Sequence, residues 1–441
     1  MKTNKSNAFI FAFIAGFGAF VVGLNLGGIS GALSFIEQEF QLSSMMVGLV
    51  TSALMVGCLV GALLGGGMSD KYGRKPMLFV SALLLMVSAL GCAFASSAVV
   101  LIISRVIAGL GVGILSAVIP TYISEISPTR LRGTFVSFYQ LFVVIGILVA
   151  YCANYGFSGQ ALNWRLMLGM PSAIALLSIL SMLALPESPR WLLLNSKDEA
   201  ANKAIERFKF DKTEEDEIRA AGVVKQEKSV KFSELFKKPI AHVVFLGSML
   251  AFFQQITGIN VIINYAPGIL SKVGIAGSNP LLQTIIIGAA NLLFTLIALW
   301  MVDKFGRKTL LLWGCAGLVV SLGYLTYAFA TPAPSNLGVL IAIIAYIAFF
   351  ALSLSPLMFV VTSEMYPSHI RGTAMALSTG ISWASAFICV QFYPWMESTL
   401  GTSWTFAIFG VLCLVAGLFI KFLIPETKGK VLEDIQKELG L

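Results

Sequence analysis

The feature that most limits the fold of this chain is its run of long apolar segments. Twelve stretches are each about 20 residues or longer, the length a helix needs to cross a bilayer. They fall at about 8–30, 44–67, 76–95, 98–124, 134–156, 165–185, 240–270, 280–302, 308–330, 337–363, 373–395 and 403–424. Of the 441 residues, 57% are hydrophobic and 12% charged. No soluble domain of this size carries that balance, so the expected class is an all-α membrane protein. The net charge of +8 therefore sets orientation and does not indicate nucleic-acid binding.

Basic residues gather in alternate loops: Lys71, Arg74, Lys75, Arg132, Lys304, Arg307, Lys308 and Arg371, with a charged insert at 190–238. The intervening loops carry Arg165 and Lys272. By the positive-inside rule both termini are expected in the cytoplasm. The first apolar run has no small-residue cleavage site after it and reads as a retained span. Cys58, Cys92, Cys152, Cys315, Cys389 and Cys413 all lie in apolar segments with no C-x-x-C pair. They read as packing residues, and no metal site or cofactor is expected.

Span 7 contains Phe252-Phe253-Gln254-Gln255-Ile256-Thr257-Gly258-Ile259-Asn260-Val261-Ile262-Ile263-Asn264-Tyr265. Carboxamides both donate and accept hydrogen bonds, and in hydrocarbon they must face protein, ligand or water. A row of them suits an uncharged, hydroxyl-rich solute; the alternative is that they only join helices. On a regular helix Asn260 points away from Gln254. The two share a site only if the helix breaks near Thr257-Gly258, which glycine permits. A second bend is expected at Pro267, and span 10 should bend at Pro356.

Three motifs recur at matching places in the two halves of the chain. Asp70-Lys71-Tyr72-Gly73-Arg74-Lys75 follows span 2, and Asp303-Lys304-Phe305-Gly306-Arg307-Lys308 follows span 8. Ser124-Glu125 with Arg132-Gly133 closes span 4, and Ser363-Glu364 with Arg371-Gly372 closes span 10. Pro186-Glu187-Ser188 ends span 6, and Pro425-Glu426-Thr427 ends span 12. Their acids and bases, Asp70, Arg74, Glu125, Arg132 and Glu187 mirrored by Asp303, Arg307, Glu364, Arg371 and Glu426, read as a cytoplasmic ionic latch that holds the halves together when the cytoplasmic side is closed. Exposed pairs are individually weak, so a network is required.

The chain resembles the major facilitator superfamily, and within it the sugar porter family, over nearly its whole length. The repeated D-K-x-G-R-K, the glutamine pair with G-I-N, Pro186-Glu187-Ser188-Pro189-Arg190 and Pro425-Glu426-Thr427-Lys428-Gly429 carry the resemblance. It implies two six-helix bundles: 1–189 and 239–425, joined by a helical linker, 190–238, and followed by a tail, 426–441. Asp198 to Phe208 reads as an amphipathic helix of that linker, and the linker as a whole reads as a brace between the bundles. The resemblance implies sugar-binding roles for Gln140, Gln254, Gln255, Asn260, Asn291 and Trp383. Asn264 and Phe359 stand where relatives often carry tyrosine and tryptophan, and Ser355 stands for a glycine. Tyr151 and Asn154 share a face with Gln140 on span 5.

In proton-coupled relatives an aspartate in span 1 carries the coupling; here the matching position is Asn25. Arg105 is the basic residue deepest in a span, and an intramembrane charge is a functional candidate by default. With no mid-span acid or histidine, a passive uniporter of a hexose or pentose in the cytoplasmic membrane is the expected function, acting as a monomer. A proton-coupled sugar or polyol symporter and a non-transporting sugar receptor remain alternatives. A membrane enzyme lacks converging acids, histidines or cysteines.

Overall fold

In the computed structural model the described residues are 7–430, apart from 128–131, 209, 211, 224–231, 274–278, 333–334 and 368–369, together with Ile435 and Glu438. They form helices and connecting turns, and 12 helical spans are long and apolar enough to cross a membrane. The first half supplies α1 (Ala8–Phe40), α2 (Ser44–Tyr72), α3 (Arg74–Ala93), α4 (Ala98–Ile126) and α5 (Arg132–Phe157). Its sixth span is α6 (Asn163–Gly169) running into α7 (Pro171–Leu183) through Met170, which keeps helical dihedrals.

The second half begins with α11 (Ile240–Ile256) and α12 (Ile259–Ser271), the two pieces of span 7. Then come α13 (Pro280–Lys304) and α14 (Arg307–Ala330), followed by span 10 in two pieces, α15 (Asn336–Leu352) and α16 (Leu354–Met365). The chain closes with α17 (Arg371–Leu400) and α18 (Thr402–Leu423).

Each half buries its own core. One cluster runs from Ala8 to Phe208 and includes Leu54, Val112, Tyr122 and Met182. The other is built largely from Leu235 onward and includes Tyr265, Leu318, Tyr346 and Phe406. Close packing inside a half depends on glycine. A Cβ at Gly57 or Gly109 would overlap the backbone of α4 or α2, respectively, so these helices pack backbone to backbone as small residues allow.

Three short helices follow the first half: α8 (Pro189–Leu194), α9 (Asp198–Phe208) and α10 (Lys212–Val223). The helix expected at Asp198–Phe208 is present, but α9 braces one half alone. Phe208 packs edge-on to Phe11 with centroids 5.1 Å apart, and Asn7 donates from its backbone to the Phe208 carbonyl. The turn Phe232–Phe236 instead sends Leu235 into the second core. The physical reason is the apolar stripe of α9, Ala201, Ala204, Ile205 and Phe208, which is buried and leaves a charged face outward.

Candidate central site and the family of the chain

Span 7 breaks where its amides require. α11 stops at Ile256 and α12 starts at Ile259, with Gly258 between them at φ 95°. That left-handed conformation favours glycine, and a Cβ there would also press on the Phe409 ring at 3.2 Å. The break is capped by its neighbours: Tyr346 on α15 donates to the Thr257 carbonyl at 3.0 Å.

The break turns Asn260 back toward the glutamines. Asn260 Nδ2 donates to Gln255 Oε1 at 2.6 Å. Gln255 Nε2 donates to Ser382 Oγ on α17 at 3.0 Å and to Gln254 Oε1 at 3.4 Å. Ser382 Oγ donates to Gln254 Oε1 at 3.3 Å. Gln254 Nε2 donates to the carbonyls of Leu354 and Ser355 at 3.1 and 3.4 Å. Asn264 Nδ2 donates to the Asn260 carbonyl at 2.6 Å. The amides of span 7, the start of α16 and the middle of α17 therefore form one network.

Span 10 also breaks, but not at Pro356. The helix parts at Ser353, whose dihedrals of φ −128° and ψ −90° are non-helical. A proline loses its own N–H and its ring crowds the carbonyl four residues earlier, here that of Leu352. The distortion accordingly falls one turn before the proline. At Pro267, α12 continues as helix.

Gln140 on α5 and Asn291 on α13 are half-buried, and neither carboxamide hydrogen-bonds to another described residue. Trp383, beside Ser382, is half-buried and packs against the cores of both halves. Phe359 is 45% exposed and stands outside the amide network. Asn154 packs at 1% exposure against Gly31 of α1, and Tyr151 donates to the Ile263 carbonyl at 2.9 Å. These two span 5 residues serve contacts between helices. Sequence reasoning missed Ser382, because a serine in an apolar helix carries no distinctive signal.

Asn25 and Arg105 do not pair. Asn25 Nδ2 donates to the Val21 carbonyl of its own helix at 2.9 Å. Arg105 is 4% exposed and donates to the Thr51 carbonyl at 3.1 Å, while its Nε has no partner.

The repeated charges are networked, but each network closes within its own half. Arg74 is 3% exposed and pairs with Glu125 at 2.8 Å and Asp70 at 2.9 Å. Glu187 accepts from the backbone N–H groups of Arg74 and Lys75 and of Ser188. Burial pushes the Glu187 carboxyl up from the usual carboxylate range, against those three donors and the Arg74 charge. In the second half Arg307 pairs with Glu364 at 3.2 Å, and Glu426 accepts from the N–H groups of Arg307 and Lys308. Arg371 Nε donates to the Tyr366 carbonyl. The side chains of Arg132 and Asp303 lie outside the described residues. Direct charge pairing across the halves, as a latch, is not the arrangement seen among the described residues. Asp70, Glu125, Glu187, Glu364 and Glu426 each instead cap or bind a neighbouring helix of their own bundle.

The halves meet at the end opposite these motifs. Ser52 donates to Gln391 Oε1 at 2.8 Å, and Gln391 Nε2 donates to the Met45 carbonyl at 3.1 Å. Gly48 lies so close to α17 that a Cβ would overlap the Gln391 carbonyl oxygen.

Two bundles, the second with two broken helices beside a polar network, agree with what comparison finds. Residues 11–439 match the family model described as "Sugar (and other) transporter". The chain belongs to the sugar porter family. It is thus a multi-pass membrane transporter of the major facilitator fold, not an enzyme. This sugar porter is 38% identical over 442 residues to a D-xylose transporter of Levilactobacillus brevis, covering 98% of this chain and 96% of the relative. It is 37% identical over 446 residues to a galactose-proton symporter of Escherichia coli, covering 99% and 96%. It also superposes on a partially occluded inward-open structure of the xylose transporter XylE from E. coli with a TM-score of 0.85 at 30% identity, covering 96% of this chain and 99% of that one.

Proposed function

We propose that this sugar porter carries a monosaccharide, a hexose or a pentose, across the cytoplasmic membrane by alternating access, as a passive uniporter and a functional monomer. The observation that carries the substrate reading is the amide network at the break in span 7. Neutral donors and acceptors at membrane depth match a polyhydroxy solute and carry no charge to balance an anion. Gln140, Asn291, Gln255, Asn260 and Asn264 supply polar contacts, Trp383 covers an apolar sugar face, Phe359 borders the path, and Gln254 holds the site together. Relatives that are named as xylose and galactose transporters support the same class.

Passive transport is supported by Asn25. A proton relay needs a group that changes charge within the cycle, and this amide does not titrate. Arg105 has no acidic partner among the described residues, and a guanidinium does not give up its proton in a protein. Residues 1–189 and 239–425 act as the rocking bodies, with 190–238 and 426–441 on the cytoplasmic side, where the positive-inside rule puts both termini. In this setting the described conformation is closed toward the outside. The repeated charges keep each bundle rigid while it rocks.

Reconstituted vesicles test the proposal. Counterflow of one member of a panel of D-xylose, D-glucose and D-galactose is expected, with no accumulation under an imposed pH gradient. Accumulation driven by that gradient would establish symport, the activity named for the galactose relative, and would overturn the uniport reading. Sugar binding with no flux at all would make the protein a receptor.

A further inference from the structure

Ser382 lies at the centre of the amide network, and its hydroxyl does two things at once. It accepts from Gln255 Nε2 at 3.0 Å and donates to Gln254 Oε1 at 3.3 Å. It is 4% exposed, and Gln254 is 5% exposed. The amide of Gln254 is then fully used: its oxygen accepts from Ser382 and Gln255, and its nitrogen donates to two backbone carbonyls. The nitrogen of Gln255 is used as well, with one proton to Ser382 and one to Gln254.

Oxygens remain. Gln255 Oε1 accepts only from Asn260, and the side-chain oxygens of Asn260 and Asn264 accept from no described residue. An amide oxygen has two lone pairs. The open valences of the span 7 surface are therefore mostly acceptors.

We infer that Ser382 is a positioning residue that locks both glutamines with their nitrogens turned inward, so that span 7 recognises sugar hydroxyls as hydrogen-bond donors. This rests on the proposed sugar site and adds the polarity of recognition. If Ser382 is lost, one proton of Gln255 Nε2 is released and the amide is free to turn. The surface then presents a donor where it had presented an acceptor.

The test exploits fluorine, which cannot donate a hydrogen bond but keeps a partial negative charge. Dissociation constants are measured on the purified full-length protein for D-glucose, D-galactose and D-xylose. For whichever parent binds, analogues are then measured with each hydroxyl replaced singly by hydrogen or by fluorine. For at least one hydroxyl, both analogues are expected to bind about 10-fold more weakly than the parent, since a buried acceptor is left unpaired in each. Ser382→Ala should weaken the parent about 10-fold and let the fluoro analogue bind better than the deoxy one. Ser382→Thr keeps the hydroxyl and should restore the wild-type pattern, which a purely structural role for the serine would not do. The inference is overturned if every fluoro analogue binds the wild type as the parent does. It is equally overturned if Ser382→Ala leaves the ratio of fluoro to deoxy affinity unchanged. Failure of all three parents to bind would instead remove the sugar-site reading beneath it.

Discussion

Gly48 offers a direct test of which contacts belong to one conformation and which to the fold. A Cβ there would lie 3.0 Å from the Gln391 carbonyl carbon and closer still to its oxygen. The obstacle is backbone, which cannot swing aside like a side chain. Gly48→Ala therefore forces α2 and α17 apart at the end where the two bundles meet. Overpacking of a close contact costs about 1–3 kcal/mol. At about 1.4 kcal/mol per tenfold, the closed population falls by about 5- to 150-fold. On the proposed alternating access the rocking motion relieves this clash, so the molecule loses a state rather than its fold. Gly57→Ala is the control. Its Cβ would overlap the Val106 carbonyl of α4, inside one bundle, where no rocking motion relieves it. Gly48→Ala should cut counterflow by that factor while the detergent melting temperature stays near wild type; Gly57→Ala should lower the melting temperature. Wild-type flux in Gly48→Ala, or equal loss of melting temperature in the two variants, would refute the reasoning.

Other substitutions probe separate parts of the structure. Replacing Gln254 and Gln255 together by leucine should abolish sugar counterflow; undiminished flux would show that the cargo is recognised elsewhere. Arg74→Ala strands Glu125 at 6% exposure, at a cost of about 3–5 kcal/mol. Arg307→Ala leaves Glu364 at 30% exposure and should cost clearly less, as two melting curves would show. Tyr151→Phe removes the bond to the Ile263 carbonyl across the bundles. With about 1 kcal/mol lost from the closed state, it should change the transport rate a few-fold without altering the melting temperature. Asn25→Asp installs a titratable group in span 1, and flux should become dependent on pH; a flat pH profile would count against this position as the coupling site.

Much of this architecture could be read before any coordinates. Span lengths follow from hydrocarbon thickness, and the break at Gly258 follows from amides that a straight helix would place on opposing faces. The span 10 break was off by one turn, because a proline acts on the carbonyl four residues back and the residue that yields is not the proline itself. The repeated acids and bases were visible as motifs, but their partners were not. Whether Arg74 meets Glu125 or a charge in the other bundle depends on how four helices lie together, and linear spacing carries none of that. Ser382 was hidden for a related reason. Thr51, Ser81 and Ser321 each satisfy their hydroxyls on a carbonyl of their own helix, so a serine that reaches across to α11 looks the same in sequence as those that do not.

The seam between the bundles has a consequence for the energetics of the cycle. Among the described residues it is fastened by an amide, two hydroxyls and backbone carbonyls, through Gln391, Ser52 and Tyr151, while no described ion pair joins one bundle to the other. Among the described residues, parting the bundles separates no ion pair. Screening by dissolved ions has little to act on at this seam, so opening it should depend only weakly on salt.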